Sequence, residues 1–126
     1  MAAAAAVVAL IAAVVAWRAD ESTIVAAPPS ASGADLFRSK GCASCHDGPD
    51  SSGFLEGFPD LSDASSFAGS RRDGSSAREY IGESIRNPSA FISPAWAGSI
   101  GPTSAMPVLG LTDEEIDALT DYLLQG

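Results

Sequence analysis

Metal-binding side chains are scarce in this sequence, which has two cysteines, one histidine, and two methionines of which one is the first residue. A structural zinc site takes four Cys or His ligands, so these three residues cannot build one without a carboxylate. Two cysteines allow at most one disulfide and exclude a cystine framework. Basic residues are few as well, 7 Lys and Arg against 16 Asp and Glu, for a formal charge of −9. That balance excludes nucleic acid, whose phosphates demand clustered cations. It makes basic partners the better expectation, although scattered carboxylates equally suit a solvated surface. Aromatics are sparse, with five Phe, two Trp and two Tyr in 126 residues, whereas Gly and Pro number 12 and 8. Side chains alone would make a modest core, and a buried cofactor would make up the shortfall. Alternating strand patterns and internal repeats are missing, so the fold class expected is all-α, in one domain with a tail.

One long hydrophobic run is present, Ala2 to Trp17, free of charge and strong helix breakers. As a helix it would extend roughly 24 Å, a little short of a hydrocarbon core of about 30 Å. Ile24 to Ala27 can extend it past Arg18, Asp20 and Glu21. The alternative is a cleaved secretory signal. Against it, no basic segment precedes the run, and the best small-residue site, Val25-Ala26-Ala27, is followed by Pro28. Residues 1–25 are therefore expected to be a retained transmembrane anchor and 26–32, small and Pro-containing, a linker. Arg18 after the helix favours the opposite orientation on the positive-inside rule. The domain, residues 33–126, is nonetheless expected outside the cytoplasm, because the chemistry that its closely spaced cysteine pair points to is carried out on the export side in bacteria.

Within that domain the pattern predicts helices over Ala34–Ala43, Ala77–Arg86 and Asp113–Gln125, with a weaker turn over Pro88–Ile92. The last carries a capping box, Thr112 with Glu115, and places Ile116, Leu119 and Leu123 on one face. The Leu36 and Phe37 side of the first helix is the expected cover for that face. Asp47 to Ser76, rich in Gly, Ser and Asp, reads as loop.

The chemistry lies in Gly41-Cys42-Ala43-Ser44-Cys45-His46. Two cysteines three positions apart, followed at once by the only histidine, form the covalent haem signature CxxCH. The spacing lets two thioethers reach one edge of the porphyrin while the imidazole turns under the iron as proximal ligand. One haem c, bound through Cys42, Cys45 and His46, is therefore expected, and no cysteine remains for a lipid anchor.

The sixth iron position follows by elimination: there is no second histidine, and the one internal methionine is Met106, in a Gly- and Pro-rich segment able to wrap the far haem face. A thioether there favours Fe(II) and raises the potential relative to two histidines. Lys40 is poorly placed to cross the haem. A vacant or water-bound site remains the other possibility, and it would permit peroxidase-like chemistry or gas sensing. Trp96 is a candidate to hydrogen-bond a haem propionate through its indole NH, against simple packing. Arg71 and Arg72 are candidates to pair with propionates or with an acidic partner, against plain solvation.

Gly33-Ala34-Asp35-Leu36-Phe37 leading to the haem motif, then Met106-Pro107 and Leu111-Thr112-Asp113-Glu114-Glu115-Ile116, resembles class I cytochrome c over roughly Gly33 to Gln125. The resemblance implies the cytochrome c fold, with Gly33 and Phe37 meeting Leu119, Tyr122 and Leu123. It also implies that the Pro59 carbonyl, in Phe58-Pro59-Asp60-Leu61, accepts the free NH of His46 and so orients the imidazole. Glu79 to Pro88 is similar to cytochrome domains fused to subunit II of haem-copper oxidases and to single-haem subunits of alternative complex III. Only an anchor and linker precede the domain, so a separate small subunit is the better match.

The expected function is one-electron transfer without acid-base or nucleophilic catalysis. The setting is a respiratory or photosynthetic complex on the periplasmic side of a bacterial cytoplasmic membrane. Expected partners are other subunits of that complex, membrane lipid, and a cytochrome, copper protein or oxidase as redox partner. The alternatives are a haem protein with an open iron site and a chiefly structural subunit.

Overall fold

In the computed structural model, which describes residues 30–52, 56–94 and 103–125, the chain folds as helices joined by turns and loops. α1 spans Gly33–Ser39, α2 Ala64–Phe67, α3 Ala77–Arg86 and α4 Asp113–Leu123, with 3-10 turns at Cys42–Ser44 and Ala68–Ser70. Among the described residues there is no strand, only an isolated bridge between Gly48 and Ser51. None of their helices is long and apolar enough to cross a membrane. The predicted anchor, most of the linker and Trp96 lie outside the described residues.

α1 starts because Ser32 accepts the Asp35 amide at 3.1 Å, which provides one otherwise unpaired helix amide with a partner. It is shorter than the pattern predicts. Gly41 takes φ +86°, a left-handed conformation that halts the helix after Lys40 and that residues with a Cβ adopt at a cost. The chain then tightens into the Cys42–Ser44 turn, in which the amides of Cys45 and His46 both donate to the Cys42 carbonyl, at 3.1 and 3.0 Å. The helix break thus creates the turn that carries the haem motif.

α3 has the predicted bounds and is closed at its start by a second capping box, Ser76 with Glu79. Its end comes at Asn87, whose amide still reaches the Glu83 carbonyl at 2.7 Å before Pro88 prevents another turn. The segment predicted as a helical turn over Pro88–Ile92 makes only a single turn bond, Ala90 to Asn87. α4 ends two residues earlier than predicted and shows the predicted Thr112–Glu115 box.

The stretch 47–76 is not loop throughout. Ala64 and Ala68, one helical turn apart, are fully buried in the core, and that burial overrides the poor helix propensity of the serines between them. Ser66 and Ser70 satisfy the neighbouring carbonyls of Asp63 and Phe67 with their hydroxyls, each at 2.9 Å.

The core forms where α4 crosses α1 and lies beside α3. Leu36 and Phe37 meet Leu119, Tyr122 and Leu123, and Ile81 and Ile85 of α3 close the cluster. Gly33 sits at the crossing: a Cβ there would collide with the Ala118 carbonyl oxygen and the Tyr122 Cβ, so only glycine lets the two backbones approach. The Phe37 and Tyr122 rings pack tilted, with centroids 5.6 Å apart. Thr120, buried at 1% exposure, satisfies its hydroxyl on the Ile116 carbonyl at 2.8 Å. Surface ion pairs Lys40–Glu115, Arg78–Asp121 and Arg86–Asp113 tie α4 to its neighbours at 2.8, 2.6 and 2.8 Å. Each adds at most about 1 kcal/mol, so packing of the apolar faces supplies most of the stability.

Candidate functional site

The turn after Gly41 and the loop after His46 together place the histidine. His46 Nδ1 lies 2.8 Å from the carbonyl oxygen of Pro59. A carbonyl only accepts, so Nδ1 carries the proton and Nε2 keeps its lone pair for a metal. The Phe58 ring stands edge-on to the imidazole, centroids 6.2 Å apart, and limits its rotation. Proline and loop are themselves held: the Leu61 amide donates to the Asp47 carbonyl at 3.0 Å, and the Asp60 carboxylate accepts from the amide and hydroxyl of Ser62. Those two bonds hold the Asp60 carboxyl below the usual carboxylate range.

The same loop is fastened to the helices at Asp50. Its carboxylate accepts from the Tyr122 hydroxyl of α4 and pairs with Arg38 of α1 at 3.3 Å. The Tyr122 bond, and then Arg38, lower the Asp50 pKa. Burial, and then the bond to Asp50, raise that of Tyr122.

Cys42 and Cys45 are half-buried and not joined in a disulfide. Desolvation raises the Cys42 pKa, with the proximity of Cys45 adding a little and a backbone hydrogen bond opposing it. The thiol therefore favours its protonated form in this environment.

Cys42, His46, Pro59 and Met106 all line one cleft of about 230 Å³. Its walls are chiefly apolar: Ile81 and Ile85 from α3, Leu119 and Leu123 from α4, and Phe67 from the end of α2. Cys45 is in the motif turn but is not among the lining residues. The Met106 segment reaches the cleft through two hydrogen bonds: the Ser104 amide donates to the Ser89 hydroxyl and the Met106 amide to the Ser104 hydroxyl, each at 3.1 Å. Met106 is brought beside the turn that follows α3, although it is distant from that turn in sequence.

Arg71 also lines the cleft, its guanidinium carbon 4.7 Å from the Phe67 ring centroid. Arg72 is not among the lining residues; it lies 5.3 Å from the Phe91 ring centroid and pairs with Glu83. The sequence treats these two arginines as equivalent, and the structure does not. Tyr80, Phe91 and Ile92 line the cleft too and were not singled out as site residues. The one available signal was an apolar pair, Phe91-Ile92, in an otherwise polar, proline-flanked stretch.

A chiefly apolar cleft with the CxxCH turn on one wall, an imidazole fixed as its Nδ1–H tautomer and a thioether fits a covalently held haem. A family model described as Cytochrome c matches residues 30–126. Comparison with curated proteins and with solved structures returned no significant match. The helical fold, the haem motif set on the cleft wall and the family match together place this chain in the cytochrome c family, with haem c as its covalent cofactor.

Proposed function

We propose that this chain is a membrane-anchored, single-haem electron carrier, with Cys42 and Cys45 as the thioether donors and His46 and Met106 as the axial ligands. The observation that carries it is the convergence of His46 and Met106 on one apolar cleft. Haem c bound there supplies a one-electron Fe(III)/Fe(II) couple. The chain's own tasks are positional and electrostatic. His46 presents Nε2 in one orientation, because Pro59 and Phe58 fix the ring. The Met106 sulfur favours the reduced state over what a second imidazole would give. The apolar walls from α3 and α4 would exclude water from a haem held in the cleft and so limit solvent rearrangement on a change of its charge.

The hydrophobic run Ala2–Trp17 supports a single-pass anchor, and haem attachment to a cysteine pair supports an extracytoplasmic domain at a bacterial membrane. The charge of −9 supports a basic face on the redox partner, be it a cytochrome, copper protein or oxidase. A role as a small cytochrome subunit of a respiratory or photosynthetic complex unites these features. Trp96, near the Met106 segment in sequence, stays a candidate contact for the haem edge.

The test is the absorption spectrum of the oxidised protein. Low-spin iron with the weak thioether-to-iron band is expected, and Met106→Ala should abolish that band and lower the potential. A high-spin spectrum that shifts on adding cyanide would instead establish an open iron and a ligand-binding protein. Removal of residues 1–27 should release the protein from membranes with its haem still reducible. If the parent complex then failed to assemble, the structural role would be primary.

A further inference from the structure

The two residues that converge on the cleft are held very differently. His46 is restrained by the Pro59 carbonyl, by the Phe58 ring and by a loop fastened at Asp47 and Asp50. The segment 103–108, which carries Met106, makes among the described residues a single hydrogen bond to any other part of the chain, from the Ser104 amide to the Ser89 hydroxyl at 3.1 Å. A second bond lies within the segment and passes that restraint on, since the Met106 amide donates to the Ser104 hydroxyl at 3.1 Å. Apolar burial adds little hold here, because Ala105, Pro107 and Val108 around Met106 are all exposed, Val108 at 71%. Ser89 itself is fixed. It sits in the turn that ends α3, after Pro88, which is buried against the cleft and has a locked φ, and before Ala90, whose amide donates to the Asn87 carbonyl at 2.9 Å. The turn thus presents the Ser89 hydroxyl as an acceptor attached to a helix that Ile81 and Ile85 anchor in the core.

We infer that Ser89 is the positioning residue of the sixth iron ligand: its hydroxyl, acting through Ser104, sets how often Met106 leaves the iron and so how readily an outside ligand takes that place. The inference rests on the reading of Met106 as axial ligand. A neutral hydrogen bond of this kind shifts an equilibrium by about fivefold once exchange with water is counted. The apparent affinity of an added ligand scales with the fraction of molecules whose site is open. Loss of the Ser89 hydroxyl therefore raises that affinity by about the same factor. His46, whose restraints do not involve Ser89, keeps its place.

The test is cyanide titration of the oxidised full-length holoprotein, followed by loss of the thioether-to-iron band. Cyanide donates the electron pair of a new Fe–C bond as the Fe–S bond breaks, and the iron keeps its oxidation state. Ser89→Ala should bind cyanide about fivefold more tightly than the native protein. Ser89→Thr, which keeps the hydroxyl, should stay within about twofold of native. Ser32→Ala serves as the control: it removes the cap of α1 and so destabilises the domain away from Met106, and its cyanide affinity should be native. Amide hydrogen exchange reads the bond itself, and the Ser104 amide should exchange faster in S89A but not in S32A. A native cyanide affinity in S89A would overturn the inference, and so would an equal tightening in S32A, which would make the effect one of general stability. Failure of the ligand assignment looks different. In that case the thioether band is missing from the native protein, or persists in Met106→Ala, and the role of Ser89 falls with it; a band that Met106→Ala abolishes, together with native affinity in S89A, overturns the role of Ser89 alone.

Discussion

Two glycines show how single residues set the geometry of the site by different physics. Gly33 is required by space: an added methyl would meet the Ala118 carbonyl and Tyr122, neither of which can move without separating α1 from α4. Gly33→Ala should therefore destabilise by about 1–3 kcal/mol, the usual cost of overpacking, read as a lower denaturant midpoint with unchanged slope. Gly41 is required by conformation, since nothing lies within 4 Å of a Cβ there, yet its φ is +86°. Gly41→Ala should cost about 1–2 kcal/mol through the left-handed backbone alone. Gly41→Asn should recover part of that cost and Gly33→Asn none. This contrast separates strain from collision. The resemblance to class I cytochrome c implied the Gly33 contact, but the role of Gly41 was not legible, because a glycine's φ is a property of the folded backbone.

At the scale of elements, capping chemistry and apolar period located α3 and α4 to within two residues, and both carry capping boxes. Thr112→Ala should cost about 1 kcal/mol by leaving the Glu115 amide without its side-chain acceptor. Glu115→Gln should cost less, because it retains the cap and loses only the half-buried Lys40 pair. Thermal unfolding of the two variants should rank them in that order. The early end of α1 and the existence of α2 were not legible. Local propensity favoured continuing the first helix and leaving 64–70 as loop. Burial of Ala64 and Ala68, settled by what packs above them, reversed the second expectation.

Over the whole molecule, stability should fall at both ends of the pH scale. The carboxyls of Asp50, Asp60, Glu79 and Glu115 all titrate lower in the fold than unfolded, for hydrogen-bonding reasons led by Tyr122, Ser62, Ser76 and Lys40 respectively. A depressed acid contributes stability above its unfolded pKa of about 4, and the contribution is lost as pH falls through the folded value. Tyr122 is shifted upward, so its contribution is present below its unfolded pKa of about 10 and is lost as pH rises through the folded one. Because the Tyr122 hydroxyl is also the main cause of the Asp50 shift, Tyr122→Phe should weaken both limbs of the profile. Urea denaturation across pH, compared with the native protein, reads this directly. The charge of −9 leads to a further expectation: electron transfer with a basic partner should slow as salt rises, over the range in which the Debye length falls below about 10 Å.

Covalent haem attachment was legible from sequence because CxxCH is a local motif, with the three residues adjacent and their chemistry independent of the rest of the chain. The helical class, the α4 cap and the scarcity of alternative iron ligands were equally local or compositional. Only the tertiary structure decided that Met106 lies on the same cleft as His46, and it places the Pro59 carbonyl, which the resemblance to class I cytochrome c implied, 2.8 Å from Nδ1. Only it separated Arg71 from Arg72, one on the cleft wall and the other neutralised by Glu83. These are relations between residues distant in sequence or indistinguishable in type, and they exist once α1, α3 and α4 have packed.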